Sequence, residues 1–175
     1  ALIPAEKHRI RRESISAGAR QTVARLQEHG HAAYVVGGAV RDLLAGIEPK
    51  DFDVATDATP EQVRGIFRRS RIIGRRFRIV HVMAGGETME VSTFRSSHDN
   101  DSGTDRHGRV LRDNVFGSQE EDAARRDFTI NAVAWDPLTD EYLDPFGGRG
   151  DLARGLLRVV DPRTFAEDRK STRLN

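Results

Sequence analysis

Two aspartates one residue apart, Asp51 and Asp53 in "KDFDVAT", are the first residues in this chain whose types and spacing could do chemistry. If the segment is extended, alternation puts both carboxylates on one face, about 6.5–7 Å apart at the backbone, while Phe52 points into the core. Such a pair suits hard cations. Magnesium prefers oxygen ligands and is commonly held by one or two carboxylates together with substrate phosphates. Two such ions about 3.5–4 Å apart can activate an attacking hydroxyl and stabilise a leaving pyrophosphate. A dozen residues upstream, Gly37-Gly38 ends the apolar run "AAYVV" and precedes the short helical pattern "AVRDLLAG". Glycines at a strand-to-helix turn let backbone N–H groups approach an anion, and the helix start adds its positive dipole end. Arg41, one turn along, can reach the same phosphates, and Asp42 braces the short helix beside it. A lone Gly-Gly is usually a turn, and a lone D-x-D is a weak signal. The joint pattern is more specific, because a nucleotide triphosphate between glycine loop and metal-bound carboxylates satisfies every part of it.

Other phosphate and metal motifs are absent. Counted from Asp51, Ala55, Thr56 and Gln62 occupy the places where a calcium EF-hand loop needs an Asp or Asn, Gly and Glu. Neither G-x-G-x-x-G nor G-x-x-x-x-G-K-[ST] occurs. The chain has no cysteine, which removes disulfides, thiolate metal sites and cysteine nucleophiles and fits a reducing cytoplasm. The sequence shows neither a signal peptide nor an apolar run near the roughly 18 residues of a membrane span, so a cytoplasmic protein is expected.

The elements that must position these residues follow from local signals. Ser14 or Ser16 caps a helix over Ala17–His29 that Gly30 stops. "HAAYVV" is a short strand, "AVRDLLAG" a short helix ending at Gly46, and "KDFDVAT" the next strand. Thr59 caps "TPEQVRGIFRRS", with Pro60 in its first turn, and Asp57 helps the turn into it. "RIIG", "FRIVHVMAG" and "ETMEVSTFR" alternate β-branched and polar residues around a Gly85-Gly86 turn. Ser96–Arg109 is polar and aperiodic, a surface loop in which His98 and His107 are solvated. "GSQEEDAARRDFTINAVAWD" reads as helical, capped by Ser118 with Glu121 three residues on. "EYLDPFGGRGDLARGLLRVVDPRTF" reads as strand, glycine-rich turn, helical turn and strand. The order predicts an α+β fold with a small mixed or antiparallel sheet flanked by helices.

The 175-residue length suits one domain with a real core. The 28 basic and 27 acidic residues nearly cancel, yet arginine gathers in "KHRIRRES", "RRSRIIGRRFR" and "ARRDF". Each cluster alone fits a solvated surface. Three around one acidic motif favour a polyanionic partner, because guanidinium forks pair with phosphates.

"VVGGAVRDLLAGIEPKDFDVAT" resembles the head-domain signature of the class II nucleotidyltransferases, the family of bacterial poly(A) polymerases and CCA-adding enzymes in the polymerase-β superfamily. "VFGSQEEDAARRDFTINAVAWD" resembles the family's second motif. "IIGRRFRIVHV" resembles the segment that distinguishes the poly(A) polymerases. The resemblance implies a polymerase-β-like head over 14–160, a basic flexible arm over 1–13, and a truncated neck start over 161–175. It implies Asp51 and Asp53 as the metal-binding catalytic pair and Asp127 as a further acidic active-site residue, with Glu90 the competing third carboxylate. Gly37, Gly38, Arg41, Arg125 and Arg126 would bind the nucleotide; a salt-bridged helix end is the plainer alternative for Arg125 to Asp127. His81 is expected as a supporting histidine rather than a base. The implied reaction is addition of AMP from ATP to RNA 3′ ends, with Mg2+. Addition of CCA to tRNA is the alternative within the family, and a non-catalytic RNA-binding fragment the alternative outside it. The family's neck opens with an E-D-P-x-R-x-x-R-like run, but Arg169 follows Glu167-Asp168 here. Base selection and most of the RNA grip are therefore expected to be missing from this chain.

Overall fold

The computed structural model describes residues 2–3, 10, 12–74, 78–96 and 117–162. Among them, eight strands form one mixed sheet in the order β1-β8-β7-β2-β3-β6-β5-β4. The strands are β1 (Leu2–Ile3), β2 (Ala33–Val36), β3 (Asp53–Thr56), β4 (Ser70–Ile73), β5 (Ile79–Ala84), β6 (Glu87–Thr93), β7 (Ala134–Asp136) and β8 (Glu141–Leu143). The helices are α1 (Ala17–Glu28), α2 (Gly38–Leu44), α3 (Pro60–Ile66), α4 (Gln119–Ala124) and α5 (Gly148–Ala153), with 3-10 turns at Arg12–Ser14 and Thr129–Asn131.

Every neighbouring pair is antiparallel except β3 and β6, where Asp53 stands opposite Glu90 and Thr56 opposite Thr93. The parallel pair requires a crossover, supplied by α3, β4 and β5. On β3, alternation sends Val54 to the face covered by helices and Ala55 to the opposite one. Val54 accordingly belongs to the main core, with Val23 and Leu26 of α1, Val40 of α2, Val63 of α3 and the fully buried Trp135 and Tyr142. Ala55 packs in a smaller cluster with Val36, Phe94 and Ala134. Asp53 shares the parity of Ala55, so it stands on the face away from α1 and α3.

The expected caps are present. Ser16 Oγ accepts from the Ala19 N–H, and Thr59 with Gln62 and Ser118 with Glu121 each form a reciprocal capping box. In α1 the buried Gly18, Ala19, Thr22, Val23 and Leu26 follow the helical period. Gly18 lets the helix start rest on the β5–β6 hairpin: a Cβ there would lie 2.6 Å from the Ala84 carbonyl oxygen.

Several expectations are corrected. The strand read at "KDFDVAT" begins only at Asp53, which pairs with Val36, so Asp51 lies just before the ladder. The helix read through "GSQEEDAARRDFTINAVAWD" ends at Ala124. Beyond it Phe128 is extended, and "AWD" becomes β7, because Trp135 is completely buried once it pairs beside β2; tertiary burial outweighs the weak local helix signal. The last expected strand reduces to one bridge, Phe128 to Val159. The 3-10 turn starting at Thr129 carries the chain away before a ladder can extend. The mixed sheet flanked by helices is as expected. The arm expected over 1–13 is ordered in part: Leu2–Ile3 adds a strand along β8, which would otherwise be an edge, and Ile10 is buried in the core. The loop read at Ser96–Arg109 lies outside the described residues beyond Ser96, as do His98, His107 and the neck segment from 163 onward.

Candidate active site

The sheet register gathers the candidate residues at one end. β2 ends at Val36, where Gly37 turns the chain into α2, and β3 starts beside it at Asp53. Gly37 adopts φ 73° and ψ −136°, a conformation open in practice to glycine, and its hydrogen-only side is used. A Cβ at Gly37 would lie 2.9 Å from Arg126 Nη1, and one at Gly38 3.5 Å from Arg41 Nη2. Two guanidinium groups therefore close over the glycine turn, one from α2 itself and one from the segment after α4. No side-chain oxygen caps α2, which leaves its first N–H groups available to an anion.

Each cation is held in place. Arg41 donates from Nε to Asp42 Oδ1 at 2.8 Å and from Nη1 to Asn131 Oδ1 at 2.9 Å. The Asn131 amide nitrogen then donates to Asp127 Oδ1 at 3.0 Å, and that same oxygen accepts the Phe128 N–H at 2.7 Å. Arg126 and Arg125 lie 3.4 and 3.8 Å from the two oxygens of Asp122. The second sequence segment is thus tied to the first through Asn131 and Arg41. Asn131 and Asp122 carry this connection, and sequence reasoning assigned neither a role. Their signal was their place within the second motif, without any periodicity to mark them.

The carboxylates fall into two groups. Asp53 faces Glu90 across the parallel pair, and its carboxyl is pushed above the ordinary carboxylate range. Partial burial is the largest cause and the Glu90 carboxylate the next; the Arg126 guanidinium opposes the rise, and Asp51 adds to it. Asp51, Asp53 and Glu90 therefore share one electrostatic neighbourhood in which Arg126 is the counter-charge. His81, on β5 opposite Glu90, places Nε2 3.8 Å from Glu90 Oε2. Asp127 instead holds Asn131 and its own turn. Of the two residues competing for the third carboxylate, Glu90 is the one beside Asp53.

The donor set suits a hard cation: carboxylate oxygens in mutual repulsion, with one cationic neighbour. Among the described residues, no three acidic or imidazole groups converge tightly enough to hold a metal ion by themselves. A magnesium ion at Asp51 and Asp53 would complete its coordination with water and substrate oxygens, as this ion commonly does. The large cleft of about 660 Å³ lined by Ile10, Leu43, Ile47, Lys50 and Phe52 lies behind α2, on the side to which Phe52 points, and contains none of these groups.

Residues 33–158 match the family model described as the poly A polymerase head domain. The chain is 50% identical over 176 residues to Poly(A) polymerase I of Salmonella typhimurium, covering 95% of this chain and 38% of that protein. It is 41% identical over 151 residues to the CCA-adding enzyme of Geobacillus stearothermophilus, covering 83% of this chain and 35% of that one. The crystal structure of the Bacillus stearothermophilus CCA-adding enzyme in complex with CTP superimposes with a TM-score of 0.71 at 40% identity, covering 86% of this chain and 35% of the other. The chain thus spans little more than a third of the length of these relatives. With the glycine turn, the carboxylates and the second motif all inside the matched segment, the chain belongs to the poly(A) polymerase head-domain family.

Proposed function

We propose that this chain is the catalytic head of an RNA 3′-end adenylyltransferase that adds AMP from ATP and releases pyrophosphate. The observation that carries the reading is the meeting of Asp53 and Glu90 on adjacent strands beside the glycine turn that Arg126 and Arg41 cover. In the reaction, the terminal 3′-hydroxyl oxygen of an RNA bonds to the α-phosphorus of ATP and the bond to the β-phosphate bridge breaks. The Gly37-Gly38 turn and the two arginines grip the triphosphate, which fixes the α-phosphorus for in-line attack and offsets charge on the leaving group. Asp122, Asn131 and Asp127 keep those arginines in place, so little reorganisation is needed at the moment of reaction. Asp51 and Asp53 would hold Mg2+, which supplies charge neutralisation and activation of the attacking oxygen when bound. RNA 3′ ends and ATP are the partners, and the cytoplasm the proposed location. Among the described residues no helix is long and apolar enough to cross a membrane.

The stronger identity to a Poly(A) polymerase I, 50% against 41% for the CCA-adding relative, favours adenylation over CCA addition. The test incubates this chain, alone and within a polypeptide extended to the length of its relatives, with a generic RNA primer, Mg2+ and each nucleoside triphosphate separately. Long tails from ATP are expected of the extended protein. Addition of C and A confined to tRNA would overturn adenylation in favour of CCA synthesis, and RNA binding without any incorporation would overturn catalysis. Asp51→Ala and Asp53→Ala should each abolish incorporation with the fold retained, and normal turnover in either would remove the carboxylate pair from the mechanism.

A further inference from the structure

At the opposite end of the sheet, the C-terminal turn of α1 and the outer side of α3 enclose an open cavity of about 370 Å³ lined by Arg25, His29, His31, Gln62, Ile66 and Arg68. β2 separates it from the active site, because Ala33 starts the strand close after His31 and Val36 ends it at Gly37, about 10 Å further on. The cavity also lies on the helical side of the sheet, whereas Asp53 stands on the other. It is therefore not part of the transfer site.

Its polar groups are all donors or imidazoles, in a chain where acidic residues nearly equal basic ones. Arg25 lies over the Phe67 ring at 5.8 Å and donates from Nε to the Ile66 carbonyl oxygen at 3.2 Å. That leaves its two terminal nitrogens unbonded among the described residues. Arg68 is exposed and makes no hydrogen bond or ion pair among the described residues. His29 Nδ1 is 2.8 Å from the Arg25 carbonyl oxygen, so its proton sits on Nδ1 and Nε2 stays uncommitted. His31 is oriented in the same way by Asp57 Oδ1 at 3.2 Å from Nδ1. Gln62 Oε1 accepts the Thr59 N–H at 2.7 Å in the capping box, which leaves the amide NH2 free. Of the acids on the adjoining segments, Asp57 pairs with His31 and Glu61 with Arg78 at 2.6 Å, while Glu28 at the end of α1 is exposed. The guanidinium group of Arg25, held by Ile66 and Phe67, the uncommitted one of Arg68 and one amide NH2 offer more N–H donors than a carboxylate ligand can accept, and a phosphate's three oxygens match them, while the two imidazole rings line the site beside them.

We propose that this cavity is a second phosphate-binding site, separate from the nucleotide-transfer site, which takes a phosphate group of an RNA backbone or of a free nucleotide. The inference rests on the donor set alone and does not depend on the transfer reaction. To test it, the histidine ring resonances of the chain are followed by NMR without Mg2+ during titration with inorganic phosphate, AMP and a short oligoadenylate. The expected result is a saturable shift of the His29 and His31 rings. Arg68→Glu should weaken it about tenfold, through loss of one charge-assisted bond, with no change in melting temperature, and Arg68→Lys should restore most of it. A shift with AMP at concentrations similar to those for oligoadenylate assigns a free nucleotide, and a shift far stronger with oligoadenylate assigns the RNA backbone. Rings that do not move with any of the three probes, or equal affinity in Arg68→Glu, would overturn the site.

Discussion

Replacing Gly37 with alanine perturbs the backbone and the nucleotide site through two separable terms. The first is conformational. At φ 73° and ψ −136° a residue with a Cβ is strained by about 1–3 kcal/mol. At about 2–4 °C per kcal/mol for a domain of this size, a cost of about 2 kcal/mol lowers the melting temperature by about 4–8 °C. The second is steric. The new Cβ would lie 2.9 Å from Arg126 Nη1, inside the 3.4 Å at which ordinary contact begins, so the guanidinium must retreat by about half an ångström. A charge-assisted hydrogen bond to phosphate contributes about 1.5–3 kcal/mol. Because the arginine end is flexible, partial re-formation keeps the expected loss near the lower value, about tenfold in ATP affinity. Gly46→Ala is the control. Gly46 has nearly the same positive φ, 74°, but no atom within 4 Å of its would-be Cβ. It should cost about 1–2 kcal/mol of stability and leave ATP binding unchanged. The assay pairs thermal melting with calorimetric titration of ATP in Mg2+ for both variants. If Gly37→Ala melts early yet binds ATP normally, Arg126 does not grip the nucleotide from its place over the turn. If Gly46→Ala loses affinity equally, the loss comes from general loosening and the steric argument fails.

Two further predictions concern buried or crowded carboxylates. The raised carboxyl of Asp53 means that the folded, metal-free chain holds its proton more tightly than the unfolded chain, so ionised Asp53 lowers stability at neutral pH. Asp53→Asn should therefore melt higher than the parent at pH 7 without metal, with the gap closing as pH falls through the raised value towards the ordinary 3.8; an equal or lower melting temperature at pH 7 would contradict this. Asp151 is completely buried and accepts from Thr129 Oγ1 at 2.7 Å, Arg158 Nε at 2.9 Å and Arg154 Nη2 at 2.8 Å. The Thr129 hydroxyl is the largest cause holding its carboxyl below the ordinary range, followed by the two arginines, while loss of hydration works against them. Its stabilising contribution is fully present above the ordinary carboxylate range and is lost as pH falls through the lowered value. Asp151→Asn should melt well below the parent at pH 7 and converge on it in strong acid, with circular dichroism melts across pH as the check.

Much of the local structure was legible in the sequence. Ser16, the Thr59–Gln62 pair and the Ser118–Glu121 pair cap their helices through bonds that span three residues, and the Gly85-Gly86 hairpin closes between adjacent strands. Such interactions depend on neighbours in the chain and survive any tertiary arrangement. The glycine turn, Arg41 and the Asp51–Asp53 segment were legible for the same reason. The tertiary structure decided what lay far apart in sequence. Glu90 stands beside Asp53 only because β3 and β6 pair in parallel, a register set by burying Val54 and Val91 on the same side. Asn131 reaches Arg41 across 90 residues, and Arg126 covers Gly37, only because β7 docks beside β2 and buries Trp135. That docking also ended the helix the local pattern suggested. The sequence by itself carried the chemistry of each segment, written in residue types a few positions apart. Only the packed sheet, through long-range burial of one apolar face, decided which of those segments would meet.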